Sequence, residues 1–286
     1  ASVSEAVQQV RHATGGRLAS VVHLAAFYDF SGEESELYRK VTIEGTDRLL
    51  RALGDFQLEQ FLFSSTMLVH APCEIGELIG ESDPLDAKWP YPESKIQTEH
   101  LIRDGYPQVR SVFLRLAGIY TDQGQQPTLV QQIKRVYESS LKSHFFPGQS
   151  MVHLDDAVEA VVLAVQQRKK IPPQSAILIG EPDPMPYQEL QEEIGRALHG
   201  REWSTAAVPK SVAKAGAAVT DTLSGGNAFI KPFMIEMADD HYALDISRAK
   251  GWLNWQPRHH LRRTLPKILE SLKSDPEGFY KANKLD

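Results

Sequence analysis

The sequence predicts an α/β fold: a doubly wound parallel sheet followed by a smaller C-terminal cap. Three observations carry this reading. The apolar runs Leu18–Ala26 (LASVVHLAA), Gln60–Ser65 and Val109–Leu116 lack alternation, as strands buried on both faces of a parallel sheet do. Between them lie segments with helical apolar spacing, such as Leu37, Val41, Leu49, Leu50 and Leu53 within Ser35–Leu53. Strand and helix then alternate, which predicts right-handed crossovers between parallel neighbours.

The remaining elements follow in order. Ser2–Arg11 is expected to be a helix, capped by Ser4 before Glu5 and ended by Gly15 and Gly16. Tyr91–Arg103 is a good helix between the second and third strands. Asp155–Gln167 reads as a helix opened by aspartate, followed by a short strand at Ala176–Ile179 and a helix at Tyr187–Leu198. Beyond about Glu181 the chain is richer in Pro and Gly. Cap helices are expected near Ser211–Leu223 and His260–Lys273.

Bulk properties exclude several function classes. A chain of 286 residues can bury a sizeable core, and 42% hydrophobic with 24% charged residues is ordinary for a globular protein. The net charge of -6 argues against nucleic-acid binding, which relies on clustered Lys and Arg. Cys73 is the one cysteine, so no internal disulfide forms and a reducing cytoplasm is expected. No apolar stretch reaches membrane-spanning length: Val212–Val219 is short and contains Lys214.

Chemistry concentrates at Tyr91-Pro92-Glu93-Ser94-Lys95. Residues four apart share one helix face, so an ammonium would stand near a phenol. That proximity is expected to bring a group titrating near pH ~10 closer to neutrality, suiting proton exchange with an alcohol or carbonyl oxygen. Upstream, Ser64, Ser65 and Thr66 end a strand, where ligands bind in open α/β sheets. Small residues close the strand before it, at Leu24, Ala25 and Ala26. Further motifs are Val41-Thr42-Ile43-Glu44-Gly45-Thr46, Leu114-Arg115-Leu116-Ala117-Gly118 and Val152-His153-Leu154-Asp155-Asp156.

In this order, these motifs resemble the extended short-chain dehydrogenase/reductase superfamily, its NAD-dependent epimerase/dehydratase group. The late segments Asp245–Ala249 and Gly251–Pro257 resemble that family's C-terminal element. The resemblance implies a Rossmann-like sheet and NAD or NADP as cofactor. It implies Tyr91 as general acid/base, Lys95 on the nicotinamide ribose hydroxyls, and Thr66 orienting the reacting oxygen. Leu24, Ala25, Ala26, Thr42, Ser64, Ser65, Leu116 and Gly118 would border the cofactor. The chemistry implied is hydride transfer at an alcohol or carbonyl carbon, with a nucleotide sugar as the leading substrate. Two other readings stand beside it: a carbonyl reductase on an apolar substrate, dihydroflavonol-reductase-like or 3β-hydroxysteroid-dehydrogenase-like, and a catalytically silent binding subunit.

Departures from the family pattern bear on the substrate. Thr42 stands where an Asn is usual, Leu116 where a Pro is, and Gly118 where nucleotide-sugar epimerases often carry Asn. No glycine-rich strand-to-helix turn precedes His23. The chain is therefore expected to be a fragment whose first three strands lie before Ala1, with Ala19–Ala26 at an open edge and poor affinity for a nicotinamide cofactor. Residues 1–180 would then be a partial dinucleotide-binding domain, with 121–150 contributing to a cap formed by 181–286. Arg258, in a basic cluster with Arg262 and Arg263, is a candidate for substrate phosphates. The ten histidines show no zinc-type spacing, and no metal is expected at His153, Asp155 and Asp156. Helices Ser35–Leu53 and Tyr91–Arg103 match the pair that forms a dimer in many relatives, so a homodimer is expected.

Overall fold

A computed structural model describes residues 2–29, 31–140, 143–144, 148–204, 206–207 and 240–285. The helix expected at Ser211–Leu223 lies outside the described residues. Helix α1 (Val3–Thr14) is capped by Ser2 rather than Ser4. The Ser2 side chain accepts from the Glu5 amide while the Glu5 side chain accepts from the Ser2 amide, a reciprocal pair that requires the three-residue spacing Ser2 alone provides. Gly15, with φ 63°, ends the helix in the left-handed conformation.

The first apolar run forms two short strands, β1 (Arg17–Leu18) and β2 (Val21–His23), rather than one long one. They pair with β3 (Gln57–Leu58) and β4 (Phe61–Thr66). Strand β5 (Ser111–Leu116) follows β4 in the sheet. The outermost neighbours are β2 and β9 (Ser175–Ile179), giving the all-parallel order β2-β4-β5-β9. Among the described residues β2 pairs with β4 alone, so its other edge is open, with Val22 and Leu24 exposed beside it.

The pleat sorts the sheet side chains to two cores. Phe61, Phe63 and Phe113 pack with Val7, Leu50 and Ile102 on one face. Leu50 comes from α2 (Glu44–Ala52), which is continuous with the wider-turned segment Tyr38–Ile43, and Ile102 from α3 (Pro90–Gly105). Leu62, Val112 and Leu114 pack on the other face against Ala157, Ala160 and Ala164 and the returning Leu253 and Trp255. Alanines at that spacing let a helix lie close to the sheet.

Beyond β5 the chain adds β6 (Gly118–Tyr120), α4 (Pro127–Tyr137) and β8 (Met151–His153), with β6 and β8 paired in parallel; β6 and α4 are among the elements that escape the sequence reading. A further short pair, β7 (Ser143–His144) and β10 (Ala206–Ala207), is also parallel. The alanine-rich helix α5 (Leu154–Gln166) leaves β8 directly. A third core joins α4 to α6 (Tyr187–His199), α7 (Leu261–Ser274) and α8 (Pro276–Asn283) through Leu129, Ile133, Ile194, Ile268 and Phe279. No described helix is long and apolar enough to cross a membrane.

Candidate active site

Strands β2, β4 and β5 end together at one rim of the sheet, and a cavity of about 710 Å³ opens there. Ser64, Ser65 and Thr66 from β4, Leu116 at the end of β5 and Gly118 at the start of β6 line its floor. Tyr91, Lys95, Leu24 and Ala26 complete that wall, while α4 supplies Gln131, Gln132 and Arg135 opposite. Nine of the residues expected at the site therefore meet at one cavity. Ala25 is exposed and outside the wall.

Thr42 and Arg258 lie away from the cavity. Thr42 is fully buried and does not reach the cavity; its hydroxyl accepts from the Phe27 amide at 3.0 Å. It holds the chain leaving β2 rather than facing a ligand. Beside it, Thr46 donates to the Thr42 carbonyl, so the Nε2–H of His23 donates to Thr46 at 2.9 Å. Burial, with the charge of Lys95, brings His23 down to about 4 and keeps the ring neutral. Arg258 turns away to α5, where Nη2 meets Glu159 at 2.7 Å.

Helix geometry places Tyr91 in the first turn of α3 and Lys95 one turn on, with Pro90 fitting the first helical position. Lys95 is 3% exposed, and its Nζ donates to the Ser64 carbonyl at 2.7 Å. The ammonium lies 4.8 Å from the Phe63 ring centre and 5.7 Å from that of Tyr91. Burial lowers its pKa to about 8, against an opposing pull from Glu99. The Tyr91 phenol moves opposite to expectation: burial, with Tyr28 and Tyr38 nearby, pushes it up. The cause is the aromatic enclosure, since Tyr28 meets the ring edge-on at 4.8 Å and Trp89 lies at 5.4 Å. Thr66 Oγ1 accepts from the Leu68 amide at 3.3 Å, leaving its own hydrogen to donate elsewhere.

A charged network beneath the rim was missed in the sequence. Glu99, one turn after Lys95, is fully buried and held by Arg115 through Nε at 3.1 Å and Nη2 at 2.7 Å. Ser65 donates to it at 2.6 Å, so this hydroxyl is committed to the network although the residue lines the cavity. Burial alone would raise the Glu99 carboxyl, but the bonds and charge of Arg115, the Ser65 bond and Arg103 hold it below the usual range. Arg115 also donates through Nη1 to His70 Nε2 at 2.9 Å and to the Glu81 carbonyl at 3.0 Å. Burial and that guanidinium bring His70 down to about 4. The spacing of Lys95 and Glu99 was the available signal; Arg115, charged within an apolar strand, was the other.

The residues at the rim fit the nicotinamide–ribose end of a dinucleotide. A buried ammonium with two hydrogens beyond its Ser64 bond suits a ribose diol, and Leu24, Ala26, Leu116 and Ala117 offer flat apolar contact. For the pyrophosphate end, no glycine-rich strand-to-helix turn borders the cavity among the described residues.

Comparison with known proteins agrees with this fold. Residues 4–180 match the NAD dependent epimerase/dehydratase family. The chain is similar to the UDP-glucuronic acid 4-epimerase of Bacillus cereus in complex with UDP-glucuronic acid and NAD, at 19% identity and a TM-score of 0.70 over 96% of this chain and 79% of that one. It is similar also to DesIV, a dTDP-glucose 4,6-dehydratase of Streptomyces venezuelae with NAD and TYD bound. There the identity is 17% and the TM-score 0.69, over 98% and 81% of the two chains. MoeE5 in complex with UDP-glucose and NAD matches at 20% identity and a TM-score of 0.67, over 91% and 81%. At these identities the likeness to the solved structures establishes the fold.

Proposed function

The chain belongs to the NAD dependent epimerase/dehydratase family, and on that premise we propose that its site performs NAD(P)-linked hydride transfer at an alcohol or carbonyl carbon of a nucleotide sugar. The observation that carries this is the convergence of Thr66, Tyr91 and Lys95 on one cavity, with the Lys95 ammonium buried in its wall. The bound nicotinamide supplies the hydride chemistry. Lys95 holds the ribose hydroxyls with the hydrogens that Ser64 does not use. The Thr66 O–H fixes the reacting oxygen. Because burial raises the Tyr91 phenol, it is protonated at neutral pH and serves first as a proton donor to a carbonyl oxygen.

Substrate class rests on the opposite wall. Arg135 reaches the cavity, and among the described residues no ion pair holds its guanidinium. Burial lowers its pKa, the cost of drawing a cation from water, although Glu138 pulls the other way. Such a group favours an anionic ligand, and with Gln131 and Gln132 it suits the phosphates and hydroxyls of a nucleotide sugar. A carbonyl reductase with an apolar substrate is the second reading, favoured by Met67, Trp89, Ile119 and Val158 on the walls. In this scheme the sheet portion holds the cofactor, while α4 and the C-terminal elements hold the substrate. Leu37 and Val41, exposed just ahead of α2, fit a homodimer built on α2 and α3; sedimentation showing only monomers at micromolar concentration would reject that part. The half-buried Cys73, the one cysteine, accords with a reducing cytoplasm.

Tyr91→Phe tests the catalytic reading. With cofactor and nucleotide sugar saturating, turnover is expected to fall by about 10²–10⁴-fold, with thermal unfolding unchanged. Equal turnover in the variant removes Tyr91 from the chemistry.

A further inference from the structure

Away from the cavity, the fold brings together two histidines that the sequence keeps far apart. His153 ends β8, Asp155 lies in the first turn of α5, and His259 arrives on the segment that leads into α7. One ligand atom from each lies within 4.8 Å of the other two. None of the three lines the cavity, so this cluster is separate from the site above.

His153 is 3% exposed; its Nδ1 accepts from the Asp155 amide at 3.2 Å, while its Nε2 and His259 Nδ1 have no hydrogen-bond partner. Leaving buried imidazole nitrogens unbonded is costly unless something else takes them up. The two rings stack at 4.2 Å between centres, 25° apart, and so do not bond to each other. Carboxylates surround them. Asp122 Oδ1 lies 3.6 Å from His153 Nε2, Asp155 Oδ2 lies 3.7 Å from His153 Nδ1, and Asp156 Oδ1 lies 3.1 Å from His259 Nδ1 without hydrogen-bond alignment.

Local cations account for two of those acids. Lys267 pairs with Asp122, while Arg258 reaches Glu159 and, at 3.8 Å, Asp156. Asp155 has no Lys or Arg partner among the described residues; its ion-pair neighbour is His153. A tetrahedral ion with bonds of about 2.0–2.1 Å places its ligand atoms roughly 3.3–3.4 Å apart. The 3.7 Å between His153 Nδ1 and Asp155 Oδ2 is close to that spacing; an ion on Nδ1 replaces the bond this nitrogen accepts from the Asp155 amide at 3.2 Å and leaves Nε2–H facing Asp122.

We propose that His153, Asp155 and His259 form a divalent-metal site of the zinc class that ties the C-terminal segment to the start of α5. Two imidazole nitrogens and one carboxylate oxygen are ligands that zinc accepts, with water completing four-coordination. The ion has no part in the hydride chemistry. It cross-links β8 and α5 to the segment before α7, across a junction also held by hydrogen bonds to Asp156 and by the Arg258–Glu159 pair.

The test uses the whole chain, stripped of metal by dialysis and titrated with Co(II) and then Zn(II). Saturable binding of one ion per chain is expected, with visible Co(II) bands of a four-coordinate site and a raised unfolding midpoint. His259→Gln and Asp155→Asn should each weaken binding by at least about tenfold, since loss of even an outer-shell partner has that effect. Both side chains are partly or well exposed, at 37% and 70%, so both metal-free variants should unfold at the wild-type midpoint. Absence of saturable binding overturns the proposal, and so does unchanged affinity in both variants, which would locate the ion elsewhere.

Discussion

Glu99, below the sheet rim, and Glu181, at the foot of α7, are both nearly sealed from water, at 0% and 4% exposed. They are held by different means. Glu99 has the guanidinium of Arg115 at 2.7 Å, a second from Arg103 at 3.4 Å, and the Ser65 hydroxyl. Glu181 has closely bound partners that are all neutral: the Tyr120 hydroxyl at 3.0 Å and the Leu261 amide at 3.0 Å. The nearest charged candidate, His260 Nδ1, is 3.8 Å away. Glu99 is accordingly held below the usual carboxylate range. Glu181 is raised to about 7, by burial first and by Asp156 with it, against the pull of the Leu261, Tyr120 and Arg262 contacts. Hydrogen bonds from neutral donors satisfy a buried carboxylate without compensating its charge.

Breaking the charged member should have the largest effect. Arg115→Leu strands Glu99 in the core, and unfolding stability is expected to drop by about 3–5 kcal/mol. A loss under about 1 kcal/mol in chemical denaturation would mean that Arg103 and Ser65 suffice. Glu181→Gln comes next and sharpens the contrast through pH. With its folded pKa above the unfolded value, Glu181 binds more protons folded than unfolded from about pH 4.5 to 7, so its contribution to stability falls as pH rises through that window. The wild type should lose on the order of 1–2 kcal/mol relative to the variant between those limits. Parallel stability profiles for the two proteins would contradict the assignment. Tyr120→Phe is expected to cost least, about 1 kcal/mol at pH 8, since it removes one neutral donor while the Leu261 amide remains. An effect matching that of Arg115→Leu would erase the distinction between the two glutamates.

Legibility in the sequence followed the range of the interactions. The strand at Phe61–Thr66 and the helix carrying Tyr91 and Lys95 were readable because two-sided burial and four-residue spacing leave local patterns. Helix α4 was not, because its cap is a glutamine: Gln126 accepts from the Leu129 amide, a role the sequence assigns first to Ser, Thr, Asp or Asn. Strand β6 has three residues and no pattern to show. Arg115 looked like part of a strand exit, since nothing local tells that Glu99 waits beneath it. Arg258 is the opposite case: a cluster of basic residues is visible, but its direction depends on Asp156 and Glu159 from a distant helix. The raised Tyr91 phenol belongs to the same class, because Tyr28 reaches it only through the fold.

Asp156 has a consequence for the order in which the chain assembles. Its carboxylate receives the amides of Arg258 and His259, and its carbonyl receives the Trp255 indole. Those partners are about a hundred positions downstream, so during synthesis α5 and the four-stranded sheet emerge well before anything can close on them. Until then Asp156 and Glu181 stay hydrated, and Leu253 and Trp255 are missing from the core beside Ala157 and Ala160. Contacts of such sequence separation form late and slow the final step. The nascent protein would thus wait with one face of its sheet covered by α5 alone, until residues 253–261 return late to close it.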